Sequence, residues 1–439
     1  MKHFTPISLS ILSLCLASAH ADAQTAATYL PHVQKIYSYM DGEWVDESTY
    51  TFQYDKAGRV SCLDVDDGDA IQRTESTYDA NGMLLTELNS ISEDGGETFT
   101  PDSKRVQTYD TVLPQLTITK DRYQWDDDAN DWTETGDAFR REIKRDADGN
   151  VTSLTLSVPY LGEFDATQRI NNTINPETKQ PETFKFEELQ EDGSWKTSQY
   201  LRNLVWEKTN GQLVDQFDNW REYGNLIKTA TISEVDETTG ETVDFGQVSV
   251  TYNPTPFADG SLIGFREEIN YTDRLSRSVT GLYYHDDYGS HTSYYYDLED
   301  VNGDGVLSDD EKTYEEGSIV SVDEHGNITK EEGFMLGDDG TTEQSYGTKY
   351  EYTYDPAHGD AVKELIINEY DYDTNGYVPT MKVVTESFTD TTTAINSVTG
   401  DNRADSPAAV YNMQGMKLNR MGKGINILRR DGKTIKVMK

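Results

Sequence analysis

Cysteine is almost absent from this chain of 439 residues, which contains only Cys15 and Cys62. Cys15 lies in an N-terminal apolar run that predicts a signal peptide, so export leaves Cys62 alone and excludes an internal disulfide. No segment has the roughly 20 apolar residues that a transmembrane helix needs. Stability must therefore come from strand pairing, with a bound metal as a further candidate.

Positive charge is also scarce, with 38 Lys and Arg residues against 79 Asp and Glu residues and a formal net charge of −41. This excess argues against nucleic acid and against an anionic membrane surface as partners, because both would be repelled. Cations are the natural counterparts. The alternative is that the charge only keeps a sheet-rich surface soluble and discourages edge pairing.

The N-terminus predicts export. Lys2 and His3 precede an apolar run at residues 7–17, and the small residues up to Ala21 fit cleavage before Asp22, with a second site two residues later. We therefore expect a signal peptide at residues 1–21 and a protein that is secreted or at the cell surface.

Two kinds of turn alternate along most of the chain. The first follows the pattern Tyr-Asp-x-x-Gly, in which Asp accepts backbone hydrogen bonds and Gly supplies a positive φ. It occurs at residues 54–58 and 78–82, with one extra residue at 354–359, and without the Tyr at 146–149 and 323–326. The second is acidic, contains Gly or Asn, and leads into a large or β-favouring residue at 40–44, 128–132, 191–195, 339–341 and 374–377.

This alternation, with 28 Tyr residues and a hydrophobic content of 35%, favours strands over packed helices. Trp44, Trp132 and Trp195 share one position in the second turn, which predicts packing beneath it. We expect an all-β fold: an array of antiparallel β-hairpins forming an extended twisted sheet or β-solenoid over residues 22–388. A polar linker at 389–408 and a short C-terminal β tail at 409–439 would follow.

The Tyr-Asp-x-x-Gly turns and the short amphipathic strands after them resemble the YD repeats of the Rhs family. That resemblance implies long antiparallel sheets that wind into shells or ribbons. No toxin-like domain follows the repeats, so the encapsulating role of the large family members is not implied.

The last 31 residues are basic, with eight Lys or Arg residues against one Asp. The stretch Tyr411-Asn412-Met413-Gln414-Gly415 and the closing strand near Val437 resemble the C-terminal tail of proteins exported by type IX secretion. This resemblance implies surface export through a removable signal. The alternative is a final β-hairpin that docks on the acidic array.

One motif predicts a metal site. Residues 300–311 follow the twelve-residue calcium loop, with Gly305 at the sharp bend and Leu307 at the apolar position. The loop resembles those of EF-hands and dockerins but lacks their flanking helices, so we expect a structural Ca²⁺. The alternative is a hairpin turn rich in Asp, Asn and Gly. The predicted ligands are Asp300, Asn302, Asp304, the carbonyl of Val306, Ser308 and Glu311.

Six tyrosines lie shortly before this loop in the sequence, at 283, 284, 288, 294, 295 and 296. Exposed rings beside carboxylates could stack on sugars, but tyrosine also suits half-buried strand positions, and we favour the second interpretation. Catalytic motifs such as His-Glu-x-x-His, Gly-x-Ser-x-Gly or a phosphate loop are absent.

We therefore expect a non-enzymatic, surface-associated β-repeat protein that binds a glycan or another surface protein, with a structural calcium site. The alternative is a secreted glycan-acting hydrolase whose carboxylates lie on the sheet. A purely structural spacer is a third class. The sequence does not predict the oligomeric state.

Overall fold

The computed structural model describes residues 29–439 except 81, 111–114, 137, 148–150, 161–162, 209–225, 236–238, 240, 254–262, 273, 338–339, 391–408, 412–416, 419–424, 431–432 and 439. For residues 409–439 the description is of the backbone strands alone. The predicted signal peptide and nearly all of the predicted linker lie outside the described residues. Within them, there is no helix of the length and apolarity needed to cross a membrane.

The described residues form strands and one 3-10 turn at Pro356–His358. Val, Ile, Thr and Tyr recur in the strands, as expected for a pleated surface. In chain order the strands are β1 (Tyr29–Met40), β2 (Glu43–Tyr54), β3 (Val60–Asp66), β4 (Ile71–Tyr78), β5 (Leu84–Ser92), β6 (Thr100–Asp110), β7 (Gln115–Asp126), β8 (Asp131–Glu134), β9 (Phe139–Arg145), β10 (Val151–Tyr160), β11 (Glu163–Ile174), β12 (Pro181–Leu189), β13 (Trp195–Lys208), β14 (Leu226–Val235), β15 (Thr242–Asn253), β16 (Gly264–Tyr271), β17 (Ser276–Tyr284), β18 (His291–Glu299), β19 (Lys312–Val322), β20 (Ile328–Leu336), β21 (Thr342–Asp355), β22 (Ala361–Asp371), β23 (Gly376–Asp390), β24 (Ala409–Tyr411), β25 (Lys417–Leu418), β26 (Ile425–Arg430) and β27 (Lys433–Met438).

The strands β1–β23 form one antiparallel sheet that closes on itself. Neighbours along the chain pair with each other, and β1 pairs both with β2 and with β23, where Ile36 lies opposite Val383. Among the described strands, the short β8 pairs only with β7. The ring itself continues from β7 to β9, so β8 is not one of its members. Leaving β8 out of the 23 strands gives a closed barrel of 22. The predicted extended twisted sheet or β-solenoid is therefore wrong, since closure pairs the two edges that an open array would expose.

The register divides the side chains between two faces, because residues opposite each other on antiparallel strands point to the same side. On one face, Phe52 lies opposite Leu63, Ile143 opposite Leu154, and Leu365 opposite Val383. Phe52, Ile143, Leu365 and Val383 are each 2% exposed. We call this the apolar face. Its largest cluster runs along β9–β16, and a second lies on β21–β23 and β1.

The opposite side of the sheet, which we call the polar face, carries ion pairs between neighbouring strands. Arg73 contacts Asp64 at 2.7 Å, and Arg202 pairs with Asp244. These carboxylate and guanidinium groups are each between one fifth and two fifths exposed. Their individual contributions to stability are therefore small.

The Tyr-Asp turns lie at one end of the barrel, which we call the Tyr-Asp rim, and include the turns after β2, β4, β19 and β21. At residues 54–60, Oδ1 of Asp55 accepts hydrogen bonds from the backbone N–H groups of Ala57 and Arg59, and Gly58 has a φ of 75°. The Tyr54 hydroxyl donates to the Pro31 carbonyl at 2.6 Å. In the same way, the hydroxyls of Tyr109 and Tyr252 donate to the carbonyls of Leu84 and Ile227. Each tyrosine thereby ties its own strand to the beginning of the strand before it, which is its neighbour in the ring.

The acidic turns lie at the other end, which we call the acidic rim, and include those after β1, β7, β12, β20 and β22. The aromatic residue after the turn has a cation above its ring: Lys382 above Trp44 at 4.8 Å, and Lys104 above Trp132 at 4.6 Å. The predicted packing beneath the turn is thus a cation–π contact with another strand. Alternation of the two turn types places them at opposite ends.

A second, four-stranded antiparallel sheet contains β24–β27 in the order β25-β24-β26-β27. It coincides with the segment 409–439, for which a short β tail is predicted. The side chains of that segment lie outside the described residues.

Candidate functional site

The predicted calcium loop connects β18 to β19 at the acidic rim. Gly303 and Gly305 have φ values of 74° and 83°, which place both in the left-handed region that glycine tolerates. Asp300 Oδ1 accepts the backbone N–H groups of Gly303 and Asp304 at 2.7 and 3.1 Å. Asp300 Oδ2 accepts that of Gly305 at 3.0 Å. The carboxylate at the first position therefore holds the bend closed.

Two further predicted ligands also stabilise the loop backbone. Asn302 Oδ1 accepts the N–H of Asp304 at 2.8 Å, and Asp304 Oδ1 accepts the N–H of Val306 at the same distance. At the end of the loop, Glu311 is 6% exposed and its Oε2 accepts both the N–H and the hydroxyl of Ser308 at 3.0 Å. Side-chain oxygens of the loop therefore hold its backbone in place through hydrogen bonds.

The loop is fixed to the polar face through Leu307, which packs against a cluster of Val279, Tyr296 and Leu298. The Lys312 ammonium lies 4.7 Å from the centre of the Tyr296 ring. Residue 307 is the apolar position of the motif, so its contact agrees with the pattern in the sequence.

The donor types suit Ca²⁺, which takes six or more hard oxygens. Within the described part of the chain, however, no group of three or more His, Cys, Asp or Glu side chains is gathered closely enough to hold a metal ion. The structure brings the predicted ligands into one loop without bringing their carboxylates to a common point. Calcium at this loop stays a prediction.

The tyrosine cluster divides into buried and exposed members. Tyr294 covers Gly281 on the neighbouring strand, where a Cβ atom would lie 2.1 Å from the ring, and Tyr296 is 7% exposed. Tyr295 donates its hydroxyl to Asp297 at 2.8 Å. By contrast, Tyr283 and Tyr288 are 48% and 49% exposed. The tyrosines nearest the loop therefore pack across strands.

A groove that sequence reasoning missed lies on the polar face at the acidic rim, across β12–β15. It has a volume of about 660 Å³. The strand register brings the lining residues together, since Lys185 lies opposite Tyr200 and Val235 lies opposite Thr242. No local motif connects these strands. The one available signal is Trp195, the aromatic residue after the acidic turn at 191–195. The lining includes Lys185, Gln190, Ser194, Trp195, Thr197 and Tyr200.

A buried carboxylate beside this groove pairs with two cations. Glu187 is 4% exposed and accepts hydrogen bonds from Arg169 Nε at 2.6 Å, from Lys185 Nζ at 2.9 Å and from Asn171 Nδ2 at 2.5 Å. Burial acts to raise the pKa of Glu187, but the hydrogen bonds from Arg169, Lys185 and Asn171 outweigh burial and lower it. The carboxylate therefore stays ionised and fixes both cations.

The Arg169 guanidinium, held by Glu187, lies 4.1 Å from the centre of the Trp195 ring. This contact repeats the cation–π arrangement of Trp44 and Trp132. Trp195 differs from both because it also lines the groove. A charged network thus sets the orientation of an aromatic ring at a concave surface.

No family model matches this sequence, and no curated protein matches it either. The predicted YD-repeat (Rhs-like) identity is wrong, because the strands close into a barrel and are not wound as a repeat solenoid. The resemblances to EF-hand and dockerin loops and to type IX sorting tails are therefore not supported by a family model.

Among solved structures, a porin-like protein from Bacteroides uniformis is 9% identical, with a TM-score of 0.23, covering 83% of this chain and 99% of that one. A porin-like protein from Bacteroides vulgatus is 10% identical, with a TM-score of 0.18, covering 55% and 94%. A protein of unknown function from Bacteroides fragilis is 13% identical, with a TM-score of 0.14, covering 40% and 89%. At these TM-scores the likenesses carry no argument about this chain, and the barrel assignment rests on its own strand pairing.

Proposed function

We propose that this protein is a non-enzymatic β-barrel of the outer membrane or cell surface, and that it stays at the surface without its strands crossing the bilayer. The proposal combines the predicted export signal with the closed 22-strand ring. The observation that carries it is the presence of charged side chains within the strands on both faces of that ring.

A barrel that crosses a membrane needs an outward apolar band about 25 Å tall. Over the described strands the polar face does not have one, because ion pairs such as Arg73–Asp64 and Arg169–Glu187 lie within them. A charge facing lipid near the bilayer centre costs about 2–4 kcal/mol for Arg or Lys. The polar face is therefore suited to water.

The apolar face is also interrupted by charge. Arg105 contacts Glu87 at 2.7 Å across β5 and β6, and the register places both on the side of Asn89, Thr74 and Leu63. Whichever face points outward, ionised groups on at least two strands would face lipid tails. A position in water at the cell surface avoids that cost.

The groove across β12–β15 is relevant to whether the protein acts as a glycan hydrolase. Among the residues that the structure describes, its lining has no Asp or Glu side chain. A glycan hydrolase uses two carboxylates on either side of the scissile bond. The groove therefore supports a binding or scaffolding role in preference to the hydrolase alternative.

Liposome flotation tests the proposal. The full chain, purified without detergent, would be mixed with vesicles of phosphatidylethanolamine and phosphatidylglycerol that contain a self-quenched dye. We expect the protein to remain in the aqueous fraction, cause no dye release, and stay folded by circular dichroism. A second assay would incubate it with a panel of polysaccharides and measure new reducing ends, where we expect none.

Detergent-dependent solubility together with flotation and dye release would show a membrane-spanning barrel and contradict the proposed position. Release of reducing ends would contradict the non-enzymatic part alone. The two parts of the proposal can therefore fail separately.

A further inference from the structure

We propose that the groove across β12–β15 binds a neutral saccharide through Trp195 and Tyr200. The site is an addition to the proposed surface barrel and does not depend on where the barrel lies. Its volume of about 660 Å³ falls within the roughly 300–1,000 Å³ range of ligand pockets.

The aromatic side chains suit the apolar ring faces of a sugar. Trp195 is half-buried and lines the groove, while Arg169 lies against its ring at 4.1 Å without lining the groove. One face of the indole is therefore held by the cation, while Trp195 lines the groove. The electron-rich face of an aromatic ring attracts the weakly positive C–H groups of a pyranose.

The orientation of Trp195 is set before any ligand arrives. Arg169 donates to the buried Glu187 carboxylate at 2.6 Å, so the cation above the ring cannot readily move away. A ring held in place loses little conformational entropy on binding. This distinguishes Trp195 from an aromatic side chain that is merely exposed.

The polar groups around the rings match hydroxyl chemistry. Gln190 supplies an amide, and Ser194 and Thr197 supply hydroxyls that can both donate and accept. The Lys185 ammonium is another donor at the same wall. Such a mixture of donors and acceptors beside an aromatic ring fits a ligand with many hydroxyl groups.

The cations of the groove already have partners, which favours a neutral ligand over an anionic one. Lys185 and Lys196 both line the groove; Lys185 pairs with Glu187 at 2.9 Å, and Lys196 also has a partner. The whole chain carries a formal charge of −41 and repels anions over longer distances. The described part of the lining contains no acidic side chain that would attract a cation.

Affinity electrophoresis tests the inference. The full chain would be run through native gels containing dextran, barley β-glucan, yeast mannan or arabinoxylan, with polygalacturonate as the anionic comparison. We expect at least one neutral polysaccharide to retard the protein. Trp195→Ala should weaken that apparent affinity about tenfold or more, because the stacking surface is lost.

Trp132→Ala is the matched control, since Trp132 also follows an acidic turn and has a cation above its ring but does not line the groove. It should bind as the unmodified protein does, and the circular dichroism of both variants would be compared. The inference would be overturned if no neutral polysaccharide retarded the protein, if only polygalacturonate did, or if both tryptophan variants bound alike. Loss of binding in Trp195→Ala with a native-like spectrum would support it.

Discussion

Replacing Glu187 with Gln should destabilise the barrel by about 1–3 kcal/mol at neutral pH. The Glu187 side chain is 4% exposed and accepts hydrogen bonds from Arg169, Lys185 and Asn171. Gln keeps the shape and part of the hydrogen bonding but removes the charge that holds two cations. Removing one partner of a fully buried ion pair costs about 3–5 kcal/mol. The expected loss is smaller because Arg169 and Lys185 are 30% and 42% exposed and remain partly hydrated.

The effect should depend on pH in a defined direction. The pKa of Glu187 is lower in the folded protein than its ordinary value of about 4.3, so the folded state favours the ionised carboxylate. Its contribution is therefore fully present above the pKa of the unfolded chain. It is lost as the pH falls through the lower pKa of the folded protein. The stability difference between the unmodified protein and Glu187→Gln should shrink below about pH 4.

Urea unfolding followed by circular dichroism at pH 7 and pH 3 measures this difference. Glu188→Gln is the matched control, because Glu188 is adjacent but exposed, and it should change the unfolding free energy by less than about 0.5 kcal/mol. Equal effects of the two substitutions at pH 7 would refute the assigned role of the Glu187 network. So would an unchanged Glu187→Gln difference at pH 3 in a protein that is still folded.

Three further predictions concern other parts of the barrel. Gly333→Ala should cost about 1–3 kcal/mol in urea unfolding, because the new Cβ would lie 2.0 Å from the Tyr346 ring, and an unchanged midpoint would contradict that contact. Tyr54→Phe should cost about 0.5–1.5 kcal/mol by losing its 2.6 Å hydrogen bond to Pro31, whereas Phe at the half-exposed Tyr283 should be near neutral. If the loop at 300–311 binds Ca²⁺, a concentration 100 times the Kd should stabilise the protein by about 2.7 kcal/mol, and Glu311→Gln should abolish that gain. Calorimetry of the full chain showing no calcium heat would reject the calcium prediction.

The local structure could be predicted from the sequence because its causes are local. Asp55 and Gly58 set the geometry of their turn within five residues, and the alternation of turn types indicates strands that run back and forth. The bend and the apolar contact of the calcium-type loop likewise depend on Gly305 and Leu307 within one short segment.

Closure of the barrel could not be predicted in the same way. It depends on pairing between β1 and β23, whose opposed residues Ile36 and Val383 are separated by most of the chain. The turns specify that each strand pairs with the next, which is equally compatible with an open sheet. Only the accumulated twist and tilt of the strands decides whether the two edges meet.

The groove shows a similar limit. In the sequence, Trp195 is the residue after an acidic turn, and this position predicts packing beneath the turn. Its actual contact, Arg169, belongs to another strand, and the carboxylate that holds Arg169 belongs to a third. Such a three-strand arrangement depends on register, which a single strand pattern does not specify.

A disulfide across β1 and β23 tests ring closure most directly. Lys35 and Val384 are opposed on these strands, and Cα atoms of opposed residues lie about 4.5–5.5 Å apart, within the range for a disulfide. In a Cys62→Ser background, Lys35→Cys with Val384→Cys should form an intramolecular disulfide that mass spectrometry identifies. Lys35→Cys with Glu351→Cys is the control, because Glu351 lies on β21 and is not a neighbour of β1. A folded double variant in which residues 35 and 384 remain reduced under oxidising conditions would contradict the closed barrel.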